Sequence, residues 1–289
     1  MSAPLPSIGV ITPSFRQAGF IGEMIESVRA QEYPALEHWI VDAKSDDGTA
    51  EVVARYASPK LRWICEPDRG QSDAINKGMR LAGTEIVGWL NADDLYLPGA
   101  LHAVGAAFRD HPDAAVVYGG GVKMDAAGAV LKEVPAHPYD RRTLRNLFYV
   151  LQPSLFFRRN LFLEVGGLNE ASHYAMDWEL MLRFPREACV VVIPQMLSRL
   201  RCYPDTKTAL GGWKRMREIA EIGRKYNGLW DRNHLLFKAR EFVSGISQPR
   251  LQRLGRRVVD ELSDRLFGWD GCMVQGWPSP DPAAKRELP

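Results

Sequence analysis

Asn91-Ala92-Asp93-Asp94 places two neighbouring carboxylates directly after a short apolar run, Glu85-Ile86-Val87-Gly88-Trp89-Leu90, and shortly before a break at Pro98-Gly99. A run of that length predicts one buried strand, which puts the pair at a strand's carboxyl end. Adjacent Asp side chains supply hard oxygen ligands for Mg2+ or Mn2+, usually shared with substrate phosphates. An isolated Asp-Asp reads as well as a solvated turn with a helix cap. The other acidic residues of the first hundred positions separate these readings.

The elements before the pair alternate. Ile8 to Ile11 predicts a buried strand that ends before Pro13 and delivers Thr12, Ser14 and Arg16 to a loop. Phe20, Ile21, Met24, Ile25 and Val28 recur at helical spacing, so a helix is expected over Gln17 to Gln31. A second strand, His38 to Val41, ends at Asp42 and runs into Ser45-Asp46-Asp47-Gly48-Thr49, a turn whose Asp47 can cap the next helix. The third strand, Leu61 to Cys65, leads through Glu66-Pro67-Asp68-Arg69-Gly70 into a helix over Gln71 to Ala82 that carries Asp73. Strand-helix alternation of this kind predicts an α/β fold with a largely parallel sheet covered on both faces. Right-handed crossovers then bring every strand's carboxyl end to one edge, where ligands bind in open α/β sheets. Ser14, Asp42, Asp68, Asp73, Asp93 and Asp94 should line a common cleft, and carboxylates gathered there need a cation or a ligand's donors to satisfy them.

Other classes are excluded by what is missing. Gly119-Gly120-Gly121 follows a strand, Ala114 to Tyr118, but lacks the spaced glycines of a dinucleotide or P-loop cradle, and Asp125 to Gly128 reads as a hairpin turn. A metal is then left to handle any diphosphate. The net charge of +2 gives no reason to expect nucleic acid as a partner. Cys65, Cys189, Cys202 and Cys272 have no metal-ligand spacing and read as reduced, small hydrophobes. Met1 to Ser7 has no cationic start leading into an apolar stretch, and no apolar run is long enough to span a bilayer, so the cytoplasm is the expected compartment.

Ile11-Thr12-Pro13-Ser14-Phe15, the block Val41 to Thr49, the run Glu66 to Gly78 and Asn91-Ala92-Asp93-Asp94 resemble, in order, the signatures of family 2 glycosyltransferases with the GT-A fold. The likeness continues through Gln152 to Arg159 and Gly166 to Glu170 to His173-Tyr174-Ala175-Met176-Asp177-Trp178-Glu179-Leu180, and so covers roughly residues 5 to 210. It implies a catalytic domain over 1–210, with a helical extension over 211–289. It also implies transfer of a sugar from a nucleotide-sugar donor, typically UDP-linked, to an acceptor hydroxyl in polysaccharide or glycoconjugate assembly.

The resemblance assigns roles as well. Asp42 would bind the nucleobase through its imide N–H, with Thr12, Pro13 and Ser14 lining the nucleoside pocket. Asp93 would approach the donor's ribose or the metal, and Asp94 would hold the Mn2+ or Mg2+ that bridges the phosphates. Asp68 and Asp73 belong to the donor side, with Lys77 or Arg69 as charge partners for phosphate; Lys77 could equally face solvent from its helix. Asp177, at the start of a helix, stands where the family places its base, which must take the proton of an otherwise poor hydroxyl nucleophile. The family's common Glu-Asp pair is here Met176-Asp177. Glu179 either substitutes for the absent carboxylate or faces solvent, and His173 either touches acceptor or base or is structural. Arg201, Tyr203 and Lys207 resemble a loop that closes over the diphosphate, although relatives often carry His in place of Tyr203. A metal with a single base implies direct displacement with inversion. Two alternatives remain: a sugar-nucleotide pyrophosphorylase, for which the loop after the first strand lacks a Gly-rich, cationic segment, and a non-catalytic nucleotide-sugar-binding subunit, which the absent Glu leaves open.

From Gly211 on the pattern is helical, with Ile219, Ile222 and Tyr226, then Leu235, Leu236 and Phe237, then Leu251, Leu254, Val258, Val259, Leu262 and Leu266 on apolar faces. Arg250, Arg253, Arg256 and Arg257 give the last helix a basic face. Such a helix either caps the catalytic domain or lies on an anionic membrane surface, where a lipid-linked saccharide acceptor would be found. The tail Pro278 to Pro289, rich in Pro and charge, is expected to be disordered.

Overall fold

The computed structural model describes residues 3–229, 231–244 and 251–261, with 253, 256 and 260 excepted. Contacts divide them into two compact units, one of residues up to 203 without 142–148, the other of 142–148 with the described residues from 204 on.

In the first unit the alternation read from the sequence is present. Strands β1 (Ile8–Ser14), β2 (Leu36–Asp42), β3 (Leu61–Cys65) and β4 (Ile86–Trp89) are separated by helices α1 (Ile21–Arg29), α2 (Thr49–Ala54) and α3 (Gln71–Leu81). They lie parallel in the order β3-β2-β1-β4. The chain continues through β5 (Leu95–Tyr96), α4 (Ala100–Asp110), the hairpin β6 (Ala114–Met124) and β7 (Val130–Val134), α5 (Arg141–Asn146), whose residues from 142 on belong to the second unit, β8 (Leu155–Arg158), α6 (Arg159–Glu164), α7 (Met176–Arg183) and β9 (Cys189–Arg201). β8 joins β4 to β6 by antiparallel pairing on both sides, and β9 runs parallel to β6.

One face of the sheet packs against α1 and α4. Ile21, Met24, Ile25 and Val28 of α1 and Leu101, Val104 and Phe108 of α4 are buried with Ile8, Val10 and Ile40 in one apolar cluster. Each such side chain contributes about 1.5–3 kcal/mol on burial. On the other face α3 presses so closely on β1 that a Cβ added at Gly78 would stand 2.6 Å from Ile11 Cγ2.

Three expectations are corrected. β1 does not stop before Pro13 but runs through it to Ser14. Pairing with β4 ends at Ile11, so at Pro13 β1 has lost one neighbour and the missing N–H breaks no ladder on that side. Helix α1 starts at Ile21 instead of Gln17, after a turn in which Gln17 O accepts the Phe20 (3.0 Å) and Ile21 (2.9 Å) N–H groups, while the N–H groups of Gln17 and Ala18 go to Thr49 Oγ1 (3.2 Å) and Asp47 Oδ2 (3.0 Å) across the next loop. Gly119 to Gly121 lie inside β6, not after it. A Cβ at Gly119 would stand 2.6 Å from Gln195 O, and one at Gly120 would stand 2.7 Å from Val134 O. The glycines are what let β9 and β7 approach.

The second unit is helical where described, with α8 (Lys207–Leu210), α9 (Gly212–Asn227) and α10 (Arg232–Ser244). Arg145 donates to Asn227 Oδ1 (2.7 Å) and Tyr226 O (2.7 Å), and Trp213 meets Phe237 edge-on. Phe237 is buried as expected, whereas Leu235, Leu251, Leu254 and Val258 are exposed. Of the proposed basic face only Arg257 is described, and it is exposed; Arg250, Arg253, Arg256 and the tail 278–289 lie outside the described residues. Among the described residues no helix is long and apolar enough to cross a membrane.

Candidate active site

The ends of β1, β2 and β3 form a row. Ser14 is in register with Asp42, and Asp42 with Cys65, so their side chains share one face of the sheet at its carboxyl edge. Asp42 is 1% exposed. Its Oδ1 accepts the Ser45 N–H (2.7 Å) and faces Cys65 Sγ at 3.7 Å, while its Oδ2 accepts the Ser45 hydroxyl (2.7 Å). Burial, then the Asp42 charge, pushes the Cys65 thiol up, which keeps it protonated as a donor. An ionised carboxylate offers about four acceptor positions, and one on Oδ2 remains. Beside it Ser14 Oγ, buried, has no hydrogen-bond partner among the described residues. The loops above carry two non-glycine residues in the left-handed region, Arg16 (φ 54°) and Lys44 (φ 57°). Bonds from Arg16 N to Ser45 Oγ (2.7 Å) and from the Arg16 guanidinium to Asp46 (2.9 and 3.0 Å) hold them there.

Thr12 is not part of this rim. Because β1 continues past it, Thr12 is fully buried under α1, with its hydroxyl 3.0 Å from His38 Nε2 and donating to Met24 Sδ. Burial lowers the His38 imidazole to about 3 and keeps it neutral. Pro13 is buried next to it.

Asp93 and Asp94 follow β4. Asp94 is 1% exposed, with Oδ1 accepting the Arg201 N–H (2.8 Å) and Oδ2 the Asn91 side-chain amide (3.0 Å). Asp93 is partly exposed and its Oδ2 accepts the Tyr203 hydroxyl (2.9 Å). Burial, then the neighbouring Asp93 charge, pushes Asp94 well above the ordinary carboxylate range. Burial raises Asp93 too, against the opposing pull of the Tyr203 hydrogen bond. Among the described residues no Lys or Arg side chain forms an ion pair with either carboxylate, and the nearby Arg201 charge pulls both down without offsetting their burial. A divalent cation fits this deficit of positive charge. No cluster of three or more His, Cys, Asp or Glu side chains that could hold one alone exists among the described residues, so the other ligands would be phosphate oxygens or water.

Arg201 is placed differently from expectation, whereas Tyr203 lies in the loop that follows it. Arg201 is the last residue of β9, with its side chain buried instead of lying on a mobile loop. Its guanidinium donates to Asp93 O (2.9 Å), Ala126 O (2.6 Å) and Glu23 Oε2 (2.7 Å) and stands 4.8 Å from the centre of the Phe20 ring. It braces the carboxylate turn and has no face left for a phosphate. Lys207 opens α8 in the second unit.

The α3 side is also braced. Asp68 Oδ1 accepts Gly70 N–H (2.8 Å), shaping the turn into α3. Asp73, buried in the first turn, accepts Arg69 N–H (3.0 Å) and pairs with Arg69 and Lys77. Burial pushes Asp73 up, but these cations and hydrogen bonds outweigh it and hold the carboxyl low. The Lys77 ammonium points into the loop, not to solvent: its donors go to Pro67 O, Glu66 and Asp73. Arg69 also pairs with Glu170 (2.7 Å) but is largely exposed and keeps further N–H groups.

Asp177 lies in the first turn of α7, half-buried, and its Oδ1 accepts the Trp178 N–H (2.8 Å). The helix cap itself is Ala175. Glu179 does not face solvent. It is 1% exposed and accepts from Ser172 Oγ and Asn169 Nδ2, which fixes the loop before the helix. His173 is exposed, with its ring edge-on to Tyr174. Met176, where a carboxylate was missed, packs on α3 and accepts the Ser72 hydroxyl (2.9 Å). The first turn of α3 thereby spans the site. Ser72 reaches α7, while Gln71 donates to Asn91 (2.7 Å), which holds Asp94. Asn91, Gln71 and Gln152, which donates to Trp89 O (2.8 Å), were not singled out in the sequence, although each belongs to a motif that was.

Residues 9–165, more than half of the chain, match the model of the glycosyl transferase family 2. The chain belongs to this family. An uncharacterised glycosyltransferase of Mycobacterium tuberculosis is 26% identical to it over 250 residues, which cover 83% of this chain and 93% of that protein. One of Rickettsia felis is 26% identical over 236 residues. That match takes in 78% of this chain but only 38% of the Rickettsia protein. Among solved structures, the Pyrobaculum calidifontis mannosyltransferase PcManGT in complex with GDP-Man and Mn2+ superposes with a TM-score of 0.63 at 21% identity, covering 93% of this chain and 84% of that one. Staphylococcus aureus TarS 1-349 in complex with UDP gives 0.57 at 18% identity, over 91% of this chain and 72% of that one. These neighbours are GT-A glycosyltransferases, and this family 2 member shares their fold.

Proposed function

We propose that this family 2 glycosyltransferase moves a sugar from a uridine-linked nucleotide donor to an acceptor hydroxyl, with inversion at the anomeric carbon. The observation that carries the reading is the Asp93-Asp94 pair, which among the described residues has no Lys or Arg ion-pair partner, on the same sheet edge as Asp42. Among the described residues Asp42 has one acceptor position left, beside a Ser14 hydroxyl that has no partner. Uracil offers one imide N–H, which matches; guanine would present two donors to one position.

Asp93 and Asp94 would hold a Mn2+ or Mg2+ ion, with Asp94's second lone pairs and the exposed side of Asp93 as ligands. Such an ion supplies charge stabilisation to the departing diphosphate. PcManGT in complex with Mn2+ supports this assignment. Pro13 and Ser14 form the nucleoside floor, and Asp68 and Asp73 shape the α3 turn beside it. Asp177, half-buried at the start of a helix that the Ser72 bond anchors, accepts the acceptor hydroxyl's proton as the oxygen attacks. The acceptor is a saccharide or lipid-linked saccharide, in polysaccharide or glycoconjugate assembly.

The test is a panel of nucleotide-sugars and free nucleotides, each with and without Mn2+ or Mg2+, read by thermal stabilisation. A ligand that binds the folded state raises the melting temperature by mass action. UDP-sugars should shift it more with metal than without, and GDP-sugars less. Stabilisation by no nucleotide, or equally by all, refutes the proposal.

A further inference from the structure

The end of β9 grips the carboxylate pair from a distance of more than a hundred residues in sequence. Arg201 N–H bonds to Asp94 Oδ1 (2.8 Å), Arg201 Nε to Asp93 O (2.9 Å), and Tyr203 Oη–H to Asp93 Oδ2 (2.9 Å). The same end is fixed to the segment after β1. The Tyr203 ring packs on Phe20 with centroids 5.4 Å apart, and Arg201 lies over the same Phe20 ring and pairs with Glu23 of α1. Tyr203 is therefore held by its ring and donates by its hydroxyl, so its position does not depend on Asp93.

From this geometry we infer that Tyr203 is a positioning residue for the metal-binding step, acting through Asp93 by fixing one carboxylate oxygen and leaving the other turned to the cation. The inference rests on the metal role proposed above for Asp93. A free Asp side chain populates several rotamers, and a divalent ion accepts a narrow range of ligand positions, so a carboxylate already held in place loses less entropy on binding. Asp94 is fixed by two protein donors, whereas among the described residues Tyr203 is the side chain that hydrogen-bonds to the Asp93 carboxylate.

The experiment compares the parent with Tyr203→Phe and Tyr203→His, measuring UDP affinity by calorimetry with Mn2+ and with chelator. Phe keeps the ring on Phe20 and removes only the hydroxyl. The ratio of affinities with and without Mn2+ should fall about five- to tenfold in Tyr203→Phe, while the affinity in chelator stays at the parent value. His retains a donor and should recover part of the ratio. An unchanged ratio in Tyr203→Phe overturns the inference, and so does an equal loss in both conditions, which would make Tyr203 purely structural. A parent protein that binds UDP equally with and without Mn2+ overturns the metal reading and the positioning role together. That outcome is told apart from the others because it needs no substitution.

Discussion

Replacing Asp42 with Asn should change which base is bound without unfolding the protein. Ser45 N–H cannot turn away from Asp42 Oδ1, so the Asn carbonyl must take that position and its amide must take the place of Oδ2. The Ser45 hydroxyl, 2.7 Å from Oδ2, can rotate and accept one amide hydrogen. The other hydrogen then points to where an imide N–H would arrive, donor against donor. Losing a hydrogen bond to a charged acceptor costs about 1.5–3 kcal/mol. That corresponds to roughly a 10- to 150-fold loss of UDP affinity, at about 1.4 kcal/mol per factor of ten. Cytosine has an acceptor at the same ring position, so CDP should lose nothing or gain. Calorimetric titration of UDP, CDP and GDP into both proteins is the assay, with circular dichroism and melting curves as the check on folding. UDP binding within about threefold of the parent in a folded Asp42→Asn protein would refute the lone-pair argument, as would tight GDP binding by the parent.

Asp177→Asn should keep donor affinity and lose transfer, or donor hydrolysis where no acceptor is supplied, by about a hundredfold or more, because the amide cannot take a proton; retained turnover moves the base elsewhere. The Mn2+-dependent part of UDP affinity should decline on acidification while pH is still above the ordinary carboxylate range, since burial raises both Asp93 and Asp94 and the cation needs them ionised; a profile flat down to the usual range would contradict that. In the metal-free protein the sign is opposite: the folded state binds the extra proton, so thermal stability should rise as pH falls through the raised Asp94 value toward 3.8, and less so in Asp94→Asn. Gly78→Ala should lower the melting temperature and cost about 1–3 kcal/mol, because its Cβ would lie 2.6 Å from the branched Ile11 side chain inside the α3–β1 contact; an unchanged melting curve would mean that α3 can shift outward freely.

Strand and helix periodicity, together with the short apolar runs that end in Asp42 and Asn91, determined the parallel β1–β4 core and the sheet edge on which the acidic residues meet. That much is local, because period and run length report directly on which faces are buried. Which carboxylates have unmet needs was decided by tertiary structure. Asp73 and Asp93 look alike in sequence, yet one is ion-paired with Lys77 and Arg69, while the other has no ion pair among the described residues and accepts a phenol's hydrogen bond from residue 203. Lys77 reads equally as a phosphate partner or a solvent-facing cation and Arg201 as part of a loop over the diphosphate, until the fold turns their donors inward, and Glu179 was as well suited to solvent as to replacing the absent carboxylate until Ser172 and Asn169 closed on it. Even Thr12 changes sides, since a proline that should end a strand is harmless where the neighbouring strand has already stopped. Such outcomes turn on which partner arrives from a hundred residues away, and no local pattern encodes that.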